Sequence, residues 1–159
     1  MSVEISQALG PGDVKEIHQL FVEYAESLDY DLCFQKFDEE VANLPGAYAP
    51  PGGRLLLART GSAVAGSIGL RPLEQRNCEM KRLYVRPQFR AIKAGRRLAE
   101  AVIDEARAEG YGKMRLDTLP TMDAAVSLYR ALGFKEIAPY YDNPIQGVRY
   151  YELDLTSSL

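Results

Sequence analysis

Between residues 78 and 109 the hydrophobic pattern changes period, and that change constrains the fold more than any other feature of the chain. The segment CEMKRLYV, ending at Val85, reads as a strand. From about Gly95 to Glu109, Leu98, Ala101, Val102 and Ala106 recur on one face of a helix, with Gly110 as its stop. The connection passes through Pro87 into the short loop Arg90-Ala91-Ile92-Lys93-Ala94-Gly95. A strand feeding a helix this directly implies helices layered on a sheet. Helix starts at such junctions hold phosphates through unpaired backbone amides, and the loops before them usually carry several glycines. This loop carries Gly95 alone.

The rest of the chain extends the same architecture. Residues 114–118 read as a strand, 122–132 as a helix stopped by Gly133, and 148–155 as an alternating strand. Ahead of the junction, residues 3–5 are a short edge strand. Asp13-Val-Lys-Glu16 reads as a capping box opening a helix, and Val14, Ile17, Phe21, Tyr24 and Leu28 carry it to residue 28. A second short helix is expected over residues 35–44, then a Pro- and Gly-rich loop to Gly53. Strands over 54–59 and 63–70 flank the turn Thr60-Gly61-Ser62. The expected fold class is a mixed-sheet α/β (α+β) layer structure, one domain of 159 residues.

Charge narrows the function. The net charge of −3 argues against generic nucleic-acid binding. No stretch approaches the roughly 18 apolar residues of a membrane span, so no membrane partner is expected. The start, MSVEISQALGPGD, lacks a signal-peptide pattern, and two cysteines provide no disulfide framework. A reducing, cytoplasmic compartment is the expectation. The single histidine, His18, leaves little room for a histidine-based metal site or triad and reads as an ordinary helix residue. Against this acidic background, residues 81–99 hold no acid but contain Lys81, Arg82, Arg86, Arg90, Lys93, Arg96 and Arg97. Arg96 and Arg97 fall in the first turn of the expected helix, where the dipole disfavours cations. Either a polyanion binds there or the stretch is a solvated basic face.

Two motifs carry a resemblance. Val85, Pro87, Arg90 and Gly95 match a strand end Val-x-Pro followed by Arg/Gln-x-x-Gly-x-Gly/Ala, with Lys93 where the internal glycine is expected. Downstream, Ala125-Val-Ser-Leu-Tyr129-Arg-Ala-Leu-Gly133-Phe134 matches Ala-x-x-x-Tyr-x-x-x-Gly-Phe, with Met122 where an asparagine is common. In this order and spacing the chain resembles the GCN5-related N-acetyltransferase (GNAT) superfamily. The resemblance implies a mixed, mostly antiparallel central sheet of about six to seven strands flanked by about four helices. It implies acetyl-CoA as acetyl donor, with the main chain of Leu83, Tyr84 and Val85 along the pantetheine arm. It implies backbone amides of Arg90, Ala91, Ile92, Lys93, Ala94, Gly95 and Arg96 around the pyrophosphate. The acceptor would be a small-molecule or peptide amine. Tyr30 and Phe34, after the first helix, stand where the family builds its acceptor pocket, with Asp31 and Phe37 beside them. Tyr141 and Asn143, with Tyr140, are further candidates from the loop before the last strand. A homodimer is consistent with the family.

Acetyl transfer sets three chemical demands. The amine must be neutral to attack, yet at pH 7 only about one alkylamine in 2,500 is, a deficit of about 4.6 kcal/mol. The developing oxyanion needs a donor, and a backbone N–H on the central strand suits it. The departing thiolate needs a proton. Glu79 is the candidate base, direct or through water, because the superfamily often places a glutamate on this strand. The alternative is a glutamate simply paired with Lys81, Arg54 or Arg71. Strand alternation places Glu79, Lys81, Leu83 and Val85 on one side. Tyr129 is the candidate acid, at the family's tyrosine position. The alternative is an aromatic packed between helix and sheet. Cys78 reads as a small buried thiol. Two other functions stay open: a non-catalytic acyl-CoA-binding sensor, and an acyltransferase using another acyl-CoA or a hydroxyl acceptor.

Overall fold

A computed structural model describes residues 2–28 and 36–156. In chain order the elements are β1 (Glu4–Gln7), α1 (Pro11–Ser27), α2 (Phe37–Ala42), β2 (Arg54–Thr60), β3 (Ala63–Pro72), β4 (Asn77–Val85), α3 (Ala94–Glu109), β5 (Lys113–Thr118), α4 (Asp123–Ala131), β6 (Lys135–Ile137) and β7 (Arg149–Asp154). Single 3-10 segments span Gly46–Tyr48 and Pro87–Ile92. The strands form one seven-stranded sheet in the order β1-β2-β3-β4-β5-β7-β6. Every pairing is antiparallel except β4 with β5. This is the mixed, mostly antiparallel sheet with flanking helices that the sequence leads one to expect.

Both faces of the sheet are covered, and β2 shows how the sequence encodes it. Leu56 and Ala58 join a core with Leu98, Val102 and Ala106 of α3, whereas Leu55 and Leu57 join one with Ile17, Leu20 and Phe21 of α1. A strand buried on both sides reads as an unbroken apolar run rather than an alternation. Helix α3 buries Leu98, Ala99, Val102, Ile103 and Ala106. Each large aliphatic side chain buried there contributes about 1.5–3 kcal/mol. Gly110 ends the helix at φ 95°, a left-handed conformation that glycine adopts without a Cβ clash. No helix among the described residues is long and apolar enough to cross a membrane.

Three local expectations are corrected. The capping box at Asp13 does not form. Helix α1 begins at Pro11, whose fixed φ suits the first helical position, with Gly10 as an N-cap lacking a side-chain bond. Asp13 instead pairs with Arg59 Nη2 of β2 at 3.0 Å. Helix α2 is shorter than the expected 35–44, spanning Phe37–Ala42. Strand β6 is an addition: Lys135–Ile137 pairs with β7, and three residues are too few to show a period.

Candidate functional site

The site begins with two strands that part. β4 and β5 pair only from Asn77–Lys113 to Glu79–Arg115. Beyond that point β4 keeps its bonds to β3, while its edge toward β5 has no strand partner among the described residues. Within β4, Arg82 takes φ 61°, and the register with β3 slips between Ser67 and Gly69. This bulge inverts the alternation. Cys78 and Met80 face the α3-side core, so Glu79 and Lys81 face away from it. After Arg82, however, Leu83 and Val85 pack toward α3 and Tyr84 toward α1. The expectation that Glu79, Lys81, Leu83 and Val85 share one side is therefore wrong beyond Lys81.

A left-handed arginine costs about 1–2 kcal/mol of backbone energy. Its side chain supplies the anchor. Arg82 is buried, donates through Nε and Nη2 to the two carboxylate oxygens of Glu40 at 3.0 and 3.1 Å, and lies 5.0 Å from the ring centre of Phe37. Burial acts against its charge, but Glu40 more than offsets it, and the guanidinium is held protonated.

The parted strands enclose a cleft of about 400 Å³. Leu83, Tyr84 and Val85 of β4 line one wall. Leu116 and Asp117 of β5 line the other, and Ala125, Leu128 and Tyr129 of α4 close it. Arg90 and Gly95 stand at its end, where α3 starts. Arg90 is tied to the strand by a bond from Nε to the Val85 carbonyl at 3.1 Å. Lys93 is the N-cap of α3 at φ 60°, ψ 28°, so it keeps the left-handed turn that glycine favours. The first amides of α3, at Ala94, Gly95 and Arg96, have no acceptor within the helix. The expected loop residues thus divide. Ala91, Lys93 and Arg96 are exposed around the helix start, with Arg96 paired to Glu100 at 3.3 Å. The Ala94 side chain turns into the core and Ile92 packs against it, leaving their main chain for a ligand.

On the α1 side lies a polar network. Glu79 is 1% exposed. Its Oε1 accepts from Arg71 Nε at 2.7 Å and its Oε2 from the Tyr140 hydroxyl at 2.6 Å. Burial alone would raise its carboxyl; Lys81, Arg71 and these hydrogen bonds outweigh burial and hold it below the usual range. Of the pairings expected for Glu79, the one with Arg71 forms, whereas Arg54 bonds Glu105 and Glu109 of α3. Lys81 lines the cleft, and burial lowers its ammonium pKa despite Glu79 nearby. Tyr140, Tyr141 and Tyr150 pack edge-to-face with centroids 5.4 to 5.6 Å apart. The Tyr141 hydroxyl donates to Asp117, and Asn143 Nδ2 donates to the Tyr141 hydroxyl at 3.0 Å.

Tyr129 faces the cleft from α4 and also packs on Phe134 at 5.7 Å between ring centres. Burial, followed by the neighbouring Tyr24 and Asp117, raises its hydroxyl pKa, so it stays protonated at neutral pH. Tyr129 therefore packs as the expected aromatic and also lines the cleft. Burial, with Glu79 next in effect, pushes the Cys78 thiol up to about 12, as suits a small buried side chain. Tyr30 and Phe34 lie outside the described residues. Sequence reasoning missed Lys81 and Asp117 as cleft residues. No signal was available: KMRLDT alternates polar and apolar residues, and Asp117 falls in the polar phase with Lys113 and Arg115, where a carboxylate is ordinary.

A family model described as the acetyltransferase (GNAT) family matches residues 14–134. The chain is 41% identical over 157 residues to an uncharacterized N-acetyltransferase of Schizosaccharomyces pombe, covering 98% of this chain and 96% of that one. A GNAT-family acetyltransferase structure from Staphylococcus aureus shares the fold with a TM-score of 0.80 at 21% identity, covering 98% of this chain and 100% of that one. The structure of yncA from Salmonella typhimurium, with its cofactor acetyl-CoA, gives 0.76 at 19% identity over 99% and 96%. Matched by the family model over most of its length, and by a close relative from end to end, the chain belongs to the acetyltransferase (GNAT) family.

Proposed function

We propose that the protein is an acetyl-CoA-dependent N-acetyltransferase that moves an acetyl group onto a primary amine of a small molecule or a protein. The open edge of β4, running beside β5 to the bare start of α3, carries the proposal. An extended arm laid along that edge finds main-chain groups at Leu83, Tyr84 and Val85, and a pyrophosphate at its end finds the first amides of α3. Arg90 and Lys93 add charge there. Because Lys93 keeps the left-handed turn, the loop follows the path a glycine would give it. Acetyl-CoA in the structure of yncA supports the same choice of cosubstrate. When bound, that cosubstrate supplies the activated acetyl group.

The chain's own residues then do the following. Tyr129, protonated and facing the cleft, gives a proton to the departing thiolate. A backbone N–H on the open edge of β4 donates to the carbonyl oxygen as charge develops there. Glu79 acts as base at second hand. Both its oxygens are bonded, so the amine's proton reaches it through Tyr140, whose oxygen takes that proton as its own passes to Glu79 Oε2. Calorimetric titration with acetyl-CoA and with acetylpantetheine, which lacks the pyrophosphate, tests the proposal. Micromolar binding that weakens without the pyrophosphate, followed by turnover with a panel of primary amines, is the expected result. A folded protein that does not bind overturns it, and binding without any turnover favours the sensor.

A further inference from the structure

We infer that Asp117 is the anchor for the acceptor's ammonium group, the carboxylate through which the cleft takes its amine from solution in protonated form. The inference rests on the acetyltransferase proposal, because it assigns one residue of the same cleft. Asp117 lies on β5 two residues beyond Arg115, the last to pair with β4. Met114 and Leu116 face the α3-side core, so Asp117 points to the opposite side, as Glu79 does. Among the described residues lining the cleft it is the one acid, set among Lys81, Arg82 and Arg90.

Half of its carboxylate is committed to position and half is open. Oδ2 accepts from the Tyr141 hydroxyl and, at 3.4 Å, from Asn143 Nδ2. Asn143 is itself held, its Oδ1 accepting the Ile145 amide at 2.9 Å. The Tyr150 hydroxyl fixes the Tyr141 main chain at 3.2 Å. Oδ1 accepts no hydrogen bond from any described residue. A carboxylate oxygen held still, open, and at a cleft wall asks for a donor. Lys81 feels the charge of Asp117, but no ion pair to Asp117 forms within 4 Å among the described residues.

A primary ammonium has three donors and the charge to match. Since only about one alkylamine in 2,500 is neutral at pH 7, a site selecting the neutral form would draw on a trace of its substrate, whereas a carboxylate draws on nearly all of it. Deprotonation then follows. One N–H bond breaks with its electron pair left on nitrogen, and that proton passes through Tyr140 to Glu79; a second N–H proton, shed as the amide forms, restores to Tyr129 the one it gives the thiolate. Tyr140 lies against Tyr141, its ring centre 5.5 Å away.

The test needs no turnover. Benzylamine, an ammonium at pH 7, and benzyl alcohol, similar in shape but uncharged, are titrated into the protein with CoA present and absent, followed by NMR. The wild type should bind benzylamine at least about tenfold tighter, the scale of one charge-assisted hydrogen bond. Asp117→Asn keeps an acceptor for Tyr141 but turns an N–H₂ toward the ligand, and should abolish the preference. Asp117→Glu, which keeps the charge, should restore part of it. A wild type without preference, or an Asp117→Asn variant that retains it while folded, overturns the inference. Preference in a protein that binds no acetyl-CoA overturns the acetyltransferase proposal instead, and with it the anchor's role as an acceptor site.

Discussion

Lys93 combines two locally unfavourable features. Its left-handed backbone costs about 1–2 kcal/mol for a residue with a Cβ. Its charge sits at the positive end of the α3 dipole, beside Arg96 and Arg97. Arg96 is partly offset by its pair with Glu100; an anion at the helix start would make all three cations favourable. Such concerted breaks of local rules fit the anion site proposed at the start of α3. Tyr129 carries a sharper consequence. Tyr129→Phe removes only a hydroxyl, so the ring keeps its packing on Phe134. Turnover should fall by about 10²–10⁴, the usual contribution of a general acid. The Michaelis constant for acetyl-CoA should move little, and thermal unfolding should confirm an intact fold. A change confined to the Michaelis constant would make Tyr129 a binding residue.

Among the elements, α2 is short and yet decisive, because it brings Glu40 to Arg82. The pair is nearly buried, with Arg82 3% and Glu40 12% exposed. Glu40→Gln removes the carboxylate charge that faces the buried Arg82 guanidinium and should cost up to about 3–5 kcal/mol, read by urea unfolding. The same variant should weaken acetyl-CoA binding, because the Arg82 bulge decides which side chains of β4 face the cleft. Loss of stability with affinity unchanged would show that the bulge holds without α2. β4 itself could be read as a strand from CEMKRLYV, but its bulge could not. A positive φ at an arginine has no signature in the residue itself, and the anchor that holds it lies 42 residues away.

For the whole molecule, Glu79 couples the sheet to pH. Burial works against its charge, but Lys81, Arg71 and the bonds from Tyr140 and Arg71 prevail, and the carboxyl is held low. A carboxyl depressed by folding stabilises the native state fully above its unfolded pKa, about 4.3, and loses that contribution as pH falls through the folded value. Melting temperature should therefore drop more steeply on acidification in the wild type than in Glu79→Gln. Parallel curves would mean that Glu79 titrates alike in the folded and unfolded chain. The two-sided burial of the sheet makes this coupling possible, since it removes Glu79 from water while leaving cations within reach.

Periodicity was enough to determine the strand–loop–helix junction, the order of the longer elements, the face that α3 buries and the mixed sheet, because each is written in neighbouring residues. The two motifs, around Arg90 and Tyr129, pointed to the family for the same reason: their spacing is local. Tertiary structure alone decided the rest. It parted β4 from β5 after Glu79, turned Leu83 and Val85 away from Lys81, and closed both oxygens of Glu79 while leaving one oxygen of Asp117 without a hydrogen bond from any described residue. It also added β6, whose three residues have no period of their own until β7 lies beside them. These are facts about partners distant in sequence. Hydrogen bonds and ion pairs between remote side chains leave no periodic trace along the chain, and on such pairings the chemistry of the cleft depends.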